Sequence, residues 1–156
     1  MSSDLATLLD FDFWLAAGYV GLFVVSFVAA TLVPLGSELF VSAMVVGGYN
    51  SWGVLTVATA GNTLGSLANY YVGQWGSNFI LSHWIRIEPA TLQRAHRLYE
   101  RWGAPALFFA WAPLIGDALT LVSGILRLPL LTFTFWVISG KLLRYLVVIG
   151  LVHWWR

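Results

Sequence analysis

Four long apolar blocks organise this chain, and two of them are interrupted near the middle by a proline, a glycine and an acid. Block 13–48 is broken by Pro34, Gly36 and Glu38, and block 104–126 by Pro113, Gly116 and Asp117. Block 52–75 is unbroken and has the length that a bilayer-spanning helix needs. Block 129–155 is also long enough, with Lys141 and Arg144 inside it. If 13–33 spanned as one helix, residues 39–48 would be too short to return. A re-entrant hairpin resolves the conflict: 18–33 descends, 34–37 turns and 38–48 climbs back. The other broken block has the same form, with arms 104–112 and 117–126 around a turn at 113–116. Irregular backbone cannot face lipid, so each tip must be buried in protein or line a wet cavity.

Composition agrees with a bilayer environment. Hydrophobic residues make up 59% of the chain, charged residues 10%, and the mean hydropathy is +0.79. An ordinary soluble domain carries about 25% charge. Nine Trp suit a protein with two headgroup interfaces to anchor. The absence of cysteine excludes disulfides, thiolate metal sites and cysteine nucleophiles. A net charge of +1 gives no reason to expect nucleic acid, and 156 residues suffice for a single membrane domain, 1–156. Asp4, Asp10 and Asp12 stand where a signal peptide carries Lys or Arg, so the first block is expected to belong to the mature protein.

The one sizeable polar stretch, 76–103, joins the two halves. Its segment 89–102 reads as a helix started by Pro89 and stopped by Gly103. Leu92, Ala95, Leu98, Tyr99 and Trp102 share one face, with Arg94, Arg97 and Arg101 on another. Such a helix either lies in the membrane surface or packs as a linker on the protein itself. Arg86, Arg94, Arg97 and Arg101 place this segment in the cytoplasm by the positive-inside rule.

The halves align at an offset of 79 residues, which superposes Pro34 on Pro113, Glu38 on Asp117, Gly61 on Gly140 and Trp75 on Trp154. Each half then reads as a hairpin plus a spanning helix: a first repeat at 13–75, an amphipathic linker at 76–103 and a second repeat at 104–156. With a cytoplasmic linker, the hairpins enter from opposite faces and their tips meet near the midplane. The expected fold is therefore all-α, with two inverted repeats, the plan of many secondary transporters.

Glu38 and Asp117 are the leading candidates for chemistry, because a carboxylate in the bilayer core is normally paired, protonated or open to a cavity. The alternative is that each merely caps the half-helix it begins. Arg127, Lys141 and Arg144 are candidate ion-pair partners or phosphate ligands, although Arg127 ends a hairpin and is free to snorkel. Gly61, Gly65, Asn69 and Gly73 recur every four residues, a stripe suited to close helix packing. Asn62 and Asn69 are candidates to face the cavity, and Tyr70 and Tyr71 to anchor near the interface. His83, His96 and His153 lack metal-ligand spacing, and no nucleophile elbow or phosphate loop is present. No metal, cofactor or enzymatic activity is expected. An intramembrane aspartyl hydrolase using the two acids is a minor alternative.

Segment 33–38, Val-Pro-Leu-Gly-Ser-Glu, resembles the first signature of the DedA family, also called SNARE-associated Golgi or VTT-domain proteins. Gly61 and Gly65, followed by Tyr70, Gly73 and Gly76, resemble its glycine–tyrosine signature. Segment 111–117 with Ser123 and Gly124 is similar to the second hairpin of the short YqaA-like branch. The resemblance covers about residues 18–152. It implies opposed re-entrant hairpins in a bacterial inner membrane, and proton-linked translocation of phospholipid or polyprenyl-phosphate carriers, with Glu38 as an important membrane acid. Two departures stand out. The commoner branches carry arginine three residues before and after the second-hairpin proline, where this chain has Ala110 and Gly116. Gly36 also replaces a usual second proline, which predicts a more flexible tip.

Together these readings describe a flippase- or scramblase-like lipid transporter, with Glu38 and Asp117 as a proton-responsive pair. Membrane lipids and protons are its expected partners, and a homo-oligomer is allowed. A non-transporting membrane scaffold and a proton-coupled exporter of small solutes are the alternatives.

Overall fold

The computed structural model describes residues 17–31, 36–76, 89–112 and 115–155. The tip residues Pro34 and Pro113 lie outside the described residues, as does His83. Within them every regular element is helical: α1 (Gly18–Ala29), α2 (Ser37–Val46), α3 (Ser51–Trp75), α4 (Pro89–Trp102), a 3-10 helix (Ala104–Trp111), α5 (Ile115–Ile125) and α6 (Leu130–Trp155).

Local chemistry sets the ends. Gly47 and Gly48 close α2, Gly48 with φ +85°. The Asn50 side chain then caps α3 by accepting from the Gly53 N–H at 3.0 Å. Gly103, φ +64°, separates α4 from the 3-10 helix. Arg127 takes a left-handed φ of 52° as α5 ends, while the Leu128 N–H returns to the Ser123 carbonyl. The descending arm of the second hairpin is a 3-10 helix rather than an α-helix, with Pro105 in its first turn. At about 2 Å per residue its eight residues reach about 16 Å, farther than an α-helix of equal length.

α3 and α6 run antiparallel. Ser51 at the start of α3 meets His153 near the end of α6 (Oγ to Nε2, 3.0 Å), and midway Lys141 Nζ donates to the Asn62 carbonyl at 2.9 Å. α1 lies parallel to α3, seated in its small-residue stripe. A Cβ at Gly61 would strike the Phe23 carbonyl, one at Gly65 the Phe27 carbonyl and Ala30, and one at Gly73 the Leu121 carbonyl of α5. Asn69, in the same stripe, donates to the Ala30 carbonyl at 2.8 Å and so ties α1 to α3. The Tyr19 and Tyr49 rings meet edge-on at 5.5 Å, so the α1–α2 hairpin begins and ends at one level. α2 packs on α6 as α5 packs on α3, and the 3-10 helix lies along α6 as α1 lies along α3.

Two apolar clusters flank a polar layer. One gathers Leu22, Val41, Met44, Val54, Ala58 and Ile149, and the other Leu107, Leu119, Val122, Phe133 and Val137. Between them α3 and α6 bring Thr59, Asn62, Thr63, Ser66 and Lys141, all buried. Among the described residues only α6 is both long and apolar enough to cross a membrane on its own, and Leu131, Phe135, Val147 and Leu151 point outward from it. α3 has the length, 25 residues, but is less apolar because its Gly, Asn, Ser and Thr face protein.

One expectation changes, and one open alternative is decided. Tyr70 is no interface anchor: it is buried, and its hydroxyl donates to the Leu128 carbonyl at 2.6 Å. The apolar stripe of α4 packs through Ala95, Leu98 and Tyr99 onto the protein, so these residues are not free to enter lipid; its arginines point outward.

Candidate functional site

Each hairpin delivers one carboxylate from the first turn of its returning helix, Glu38 on α2 and Asp117 on α5, where the helix dipole favours negative charge. Glu38 reaches α6 directly, and Asp117 acts on the same stretch of it through its charge. Arg144 forms an ion pair with Glu38 and donates from Nη1 to the Trp111 carbonyl at 2.8 Å. Lys141, one turn earlier, donates to the carbonyl and side-chain oxygen of Asn62, and its charge attracts that of Asp117. Two acids thus face two cations, the balance that buried charge requires. Lys141 and Arg144 are the twelfth and fifteenth of the 26 residues of α6, the middle of the helix.

A hydrogen-bonded chain runs from Ser37, next to Glu38 in the sequence, to Lys141. The Ser37 hydroxyl lies 2.7 Å from that of Tyr145, which accepts from Asn62 Nδ2 at 3.0 Å, and Asn62 in turn holds Lys141. The chain runs from hairpin one to the partner of hairpin two. Exposure separates the two cations. Lys141 is 3% exposed, whereas the Arg144 and Glu38 side chains are 25% and 23% exposed, so of the two cations Arg144, with Glu38, is the one that a ligand reaches.

Gly36 matters for space more than for flexibility. Its φ of −62° is one that proline itself adopts, but a Cβ there would stand 2.6 Å from Glu38 Oε2. The carboxylate folds back over this glycine. Gly116 is likewise a packing residue in the first turn of α5, where a Cβ would strike the Ala110 carbonyl. The two positions at which the commoner branches carry arginine are thus pressed together, with no room for a guanidinium at 116. The positive charges come from α6 instead.

Arg127 is not brought to either acid. It is exposed beyond the end of α5, ten residues from Asp117, about 15 Å along a helix. Asn69 contacts Ala30 and, at 3.4 Å, Thr120, which makes it a clamp between helices. His96 pairs with Glu100 at 3.4 Å and His153 with Ser51, and the described residues contain no group able to hold a metal. Sequence reasoning missed Ser37 and Tyr145. Ser37 adjoins an intramembrane acid, and Tyr145 lies one turn from Lys141 and next to Arg144, which is the signal that was available.

The fold and site define a class: a helical membrane protein holding balanced charge at the centre of apolar helices. The VTT domain matches residues 33–153, and the chain belongs to this family, the DedA family. It is 33% identical over 146 residues to inner membrane protein YqaA of Escherichia coli (strain K12), covering 90% of this chain and 98% of that protein. The YqaA protein of Shigella flexneri matches to the same extent. An uncharacterized protein of Haemophilus influenzae is 31% identical over 156 residues, 95% of this chain and 96% of the relative. No solved structure matches.

Proposed function

We propose that this protein is a transporter of the bacterial inner membrane that moves an anionic lipid, phospholipid or polyprenyl phosphate, from leaflet to leaflet with the help of protons. The location follows the printed name of the YqaA relatives. One observation carries the reading: a part-exposed Glu38–Arg144 pair sits at mid-length on the membrane-length helix, near a buried Lys141 that interacts electrostatically with the part-buried Asp117. An open charged pair at that depth is costly unless it faces a cavity or a polar ligand. In the proposed cycle a proton reaching Glu38 releases Arg144, whose planar guanidinium then receives a headgroup phosphate. Deprotonation restores the pair and expels the phosphate.

The inverted repeat belongs to this proposal, and the packing supports it. Asn62 and Lys141 are 79 residues apart, the same offset that aligns the halves, and they meet where α3 and α6 cross antiparallel. Elements related by a two-fold axis touch their own equivalents on that axis. The contacts of the α1–α2 hairpin with α3 and α6 are mirrored by those of the 3-10 helix and α5 with α6 and α3. The hairpins are re-entrant in this reading, with the acid in the first turn of each returning helix directed toward the middle of α6.

The test is a leaflet-to-leaflet assay in liposomes containing fluorescent phospholipid or polyprenyl phosphate, with and without a pH gradient. Wild type is expected to move one of these lipids, and Glu38→Gln to lose that movement while remaining folded. If folded wild type moves no lipid, the reading is wrong, and the scaffold or small-solute roles take its place.

A further inference from the structure

Hydroxyl side chains in apolar helices normally bond back to a carbonyl three or four residues earlier. Several among the described residues do so: Thr56 to Trp52 at 2.8 Å, Ser139 to Phe135 at 2.7 Å, Thr120 to Asp117 at 2.8 Å and Ser123 to Thr120 at 2.7 Å. Thr59, Thr63 and Ser66 depart from this. They are 7%, 6% and 0% exposed, and their hydroxyl oxygens have no hydrogen-bond partner among the described residues. Their spacing puts them on one face of α3, over about 10 Å, on both sides of Asn62. Three buried hydroxyls turned away from their own backbone, next to a buried ammonium, form a polar site and not a random defect. The buried ammonium of Lys141, held at Asn62 on the same helix as these hydroxyls, disfavours a metal ion there. Water, with donors and acceptors in both directions, is the ligand whose chemistry fits.

We infer that Thr59, Thr63 and Ser66 hold internal waters that carry protons past Asn62, between Tyr145 and Lys141. The need for a bypass follows from the site itself. The direct chain from Ser37 through Tyr145 to Lys141 runs through the Asn62 amide, which donates and accepts hydrogen bonds but does not pass protons. Hydroxyls and waters do pass them, each oxygen accepting one proton as it gives up another. A water file along α3 therefore connects the first pair, Glu38 and Arg144 with Tyr145 beside them, to the second, Lys141 and Asp117. The relay rests on the proton-linked reading above, whereas the water site rests on the hydroxyls alone.

Water-edited solid-state NMR on the reconstituted protein tests the site. Polarisation is expected to pass from water to Thr59 and Thr63 faster than to Ser139, a lipid-facing hydroxyl at mid-helix that is bonded to its own backbone. Transfer no faster than to Ser139 overturns the proposal. Thr59→Val and Thr63→Val give a second reading. Each keeps the shape, so a dry site gains stability on losing an unpartnered hydroxyl, while a hydrated one loses stability. A lowered Tm is expected, and an unchanged or raised Tm overturns the proposal. In the liposome assay, the Thr59→Val/Thr63→Val protein is expected to lose the effect of the pH gradient, and a retained effect overturns the relay. Wild type that moves no lipid would sink the proposed function while the NMR and Tm readings still decide the water site.

Discussion

Lys141 shows how a single residue depends on its surroundings. Its buried ammonium is held by both oxygens of Asn62 and by the charge of Asp117. Removing it leaves an uncompensated carboxylate in the interior. Lys141→Met is therefore expected to destabilise the protein by about 3–5 kcal/mol, as breaking a buried pair does. Adding Asp117→Asn to that variant should recover part of the loss, which denaturant unfolding in detergent would measure; a double variant no more stable than Lys141→Met would mean that the two charges are not coupled. Gly36 gives a second case. Gly36→Ala is expected to push the Glu38 carboxylate away from Arg144 and lower transport with little change in Tm. Unaltered transport would show that the carboxylate has room to spare. The acids and cations were legible from the sequence because charge inside an apolar block is conspicuous. Tyr145 and Ser37 were not, since a tyrosine on an apolar helix reads as packing and a serine beside an acid reads as turn chemistry. Tyr70 misled for the same reason, its buried bond to Leu128 leaving no trace in hydropathy.

The elements were more legible than their contacts. Proline and glycine mark the helix ends, so α4 and α6 lie almost where pattern places them. The 3-10 form of the second descending arm was hidden, because 3.0 and 3.6 residues per turn cannot be told apart over eight apolar residues. Arg127 was unreadable for a related reason. Its place in a left-handed turn removes it from the site, and only the backbone reveals that. The glycine stripe, by contrast, does what its spacing predicts. Gly65→Leu should separate α1 from α3, with a cost of at least about 1–3 kcal/mol for overpacking. Gly150, in α6 with open space where a Cβ would stand, is the control, and Gly150→Leu should change stability by less than about 0.5 kcal/mol. Equal effects at the two positions would contradict the packing described.

For the molecule as a whole, the internal repeat does more than duplicate a hairpin. In the proposed plan it brings Glu38 into contact with α6 and the charge of Asp117 close to the same turn, with a polar layer between two apolar clusters. The alignment of the halves through Pro34, Pro113, Glu38 and Asp117 is what suggests this proposed plan. What it could not reveal was the asymmetry. Asn62 stands opposite Lys141, so one repeat supplies the amide and the other the charge. Of the two cations only Arg144 is part-exposed, and the account's central claim is that Glu38 and Arg144 act there as a unit. The most direct measurement is a double-mutant cycle on lipid translocation with Glu38→Gln, Arg144→Met and the double variant, each confirmed to be folded. If the residues form one gate, each single change abolishes proton-linked movement and the double is no worse than either alone. Independent, additive losses, or movement that persists in either single variant, would contradict the account.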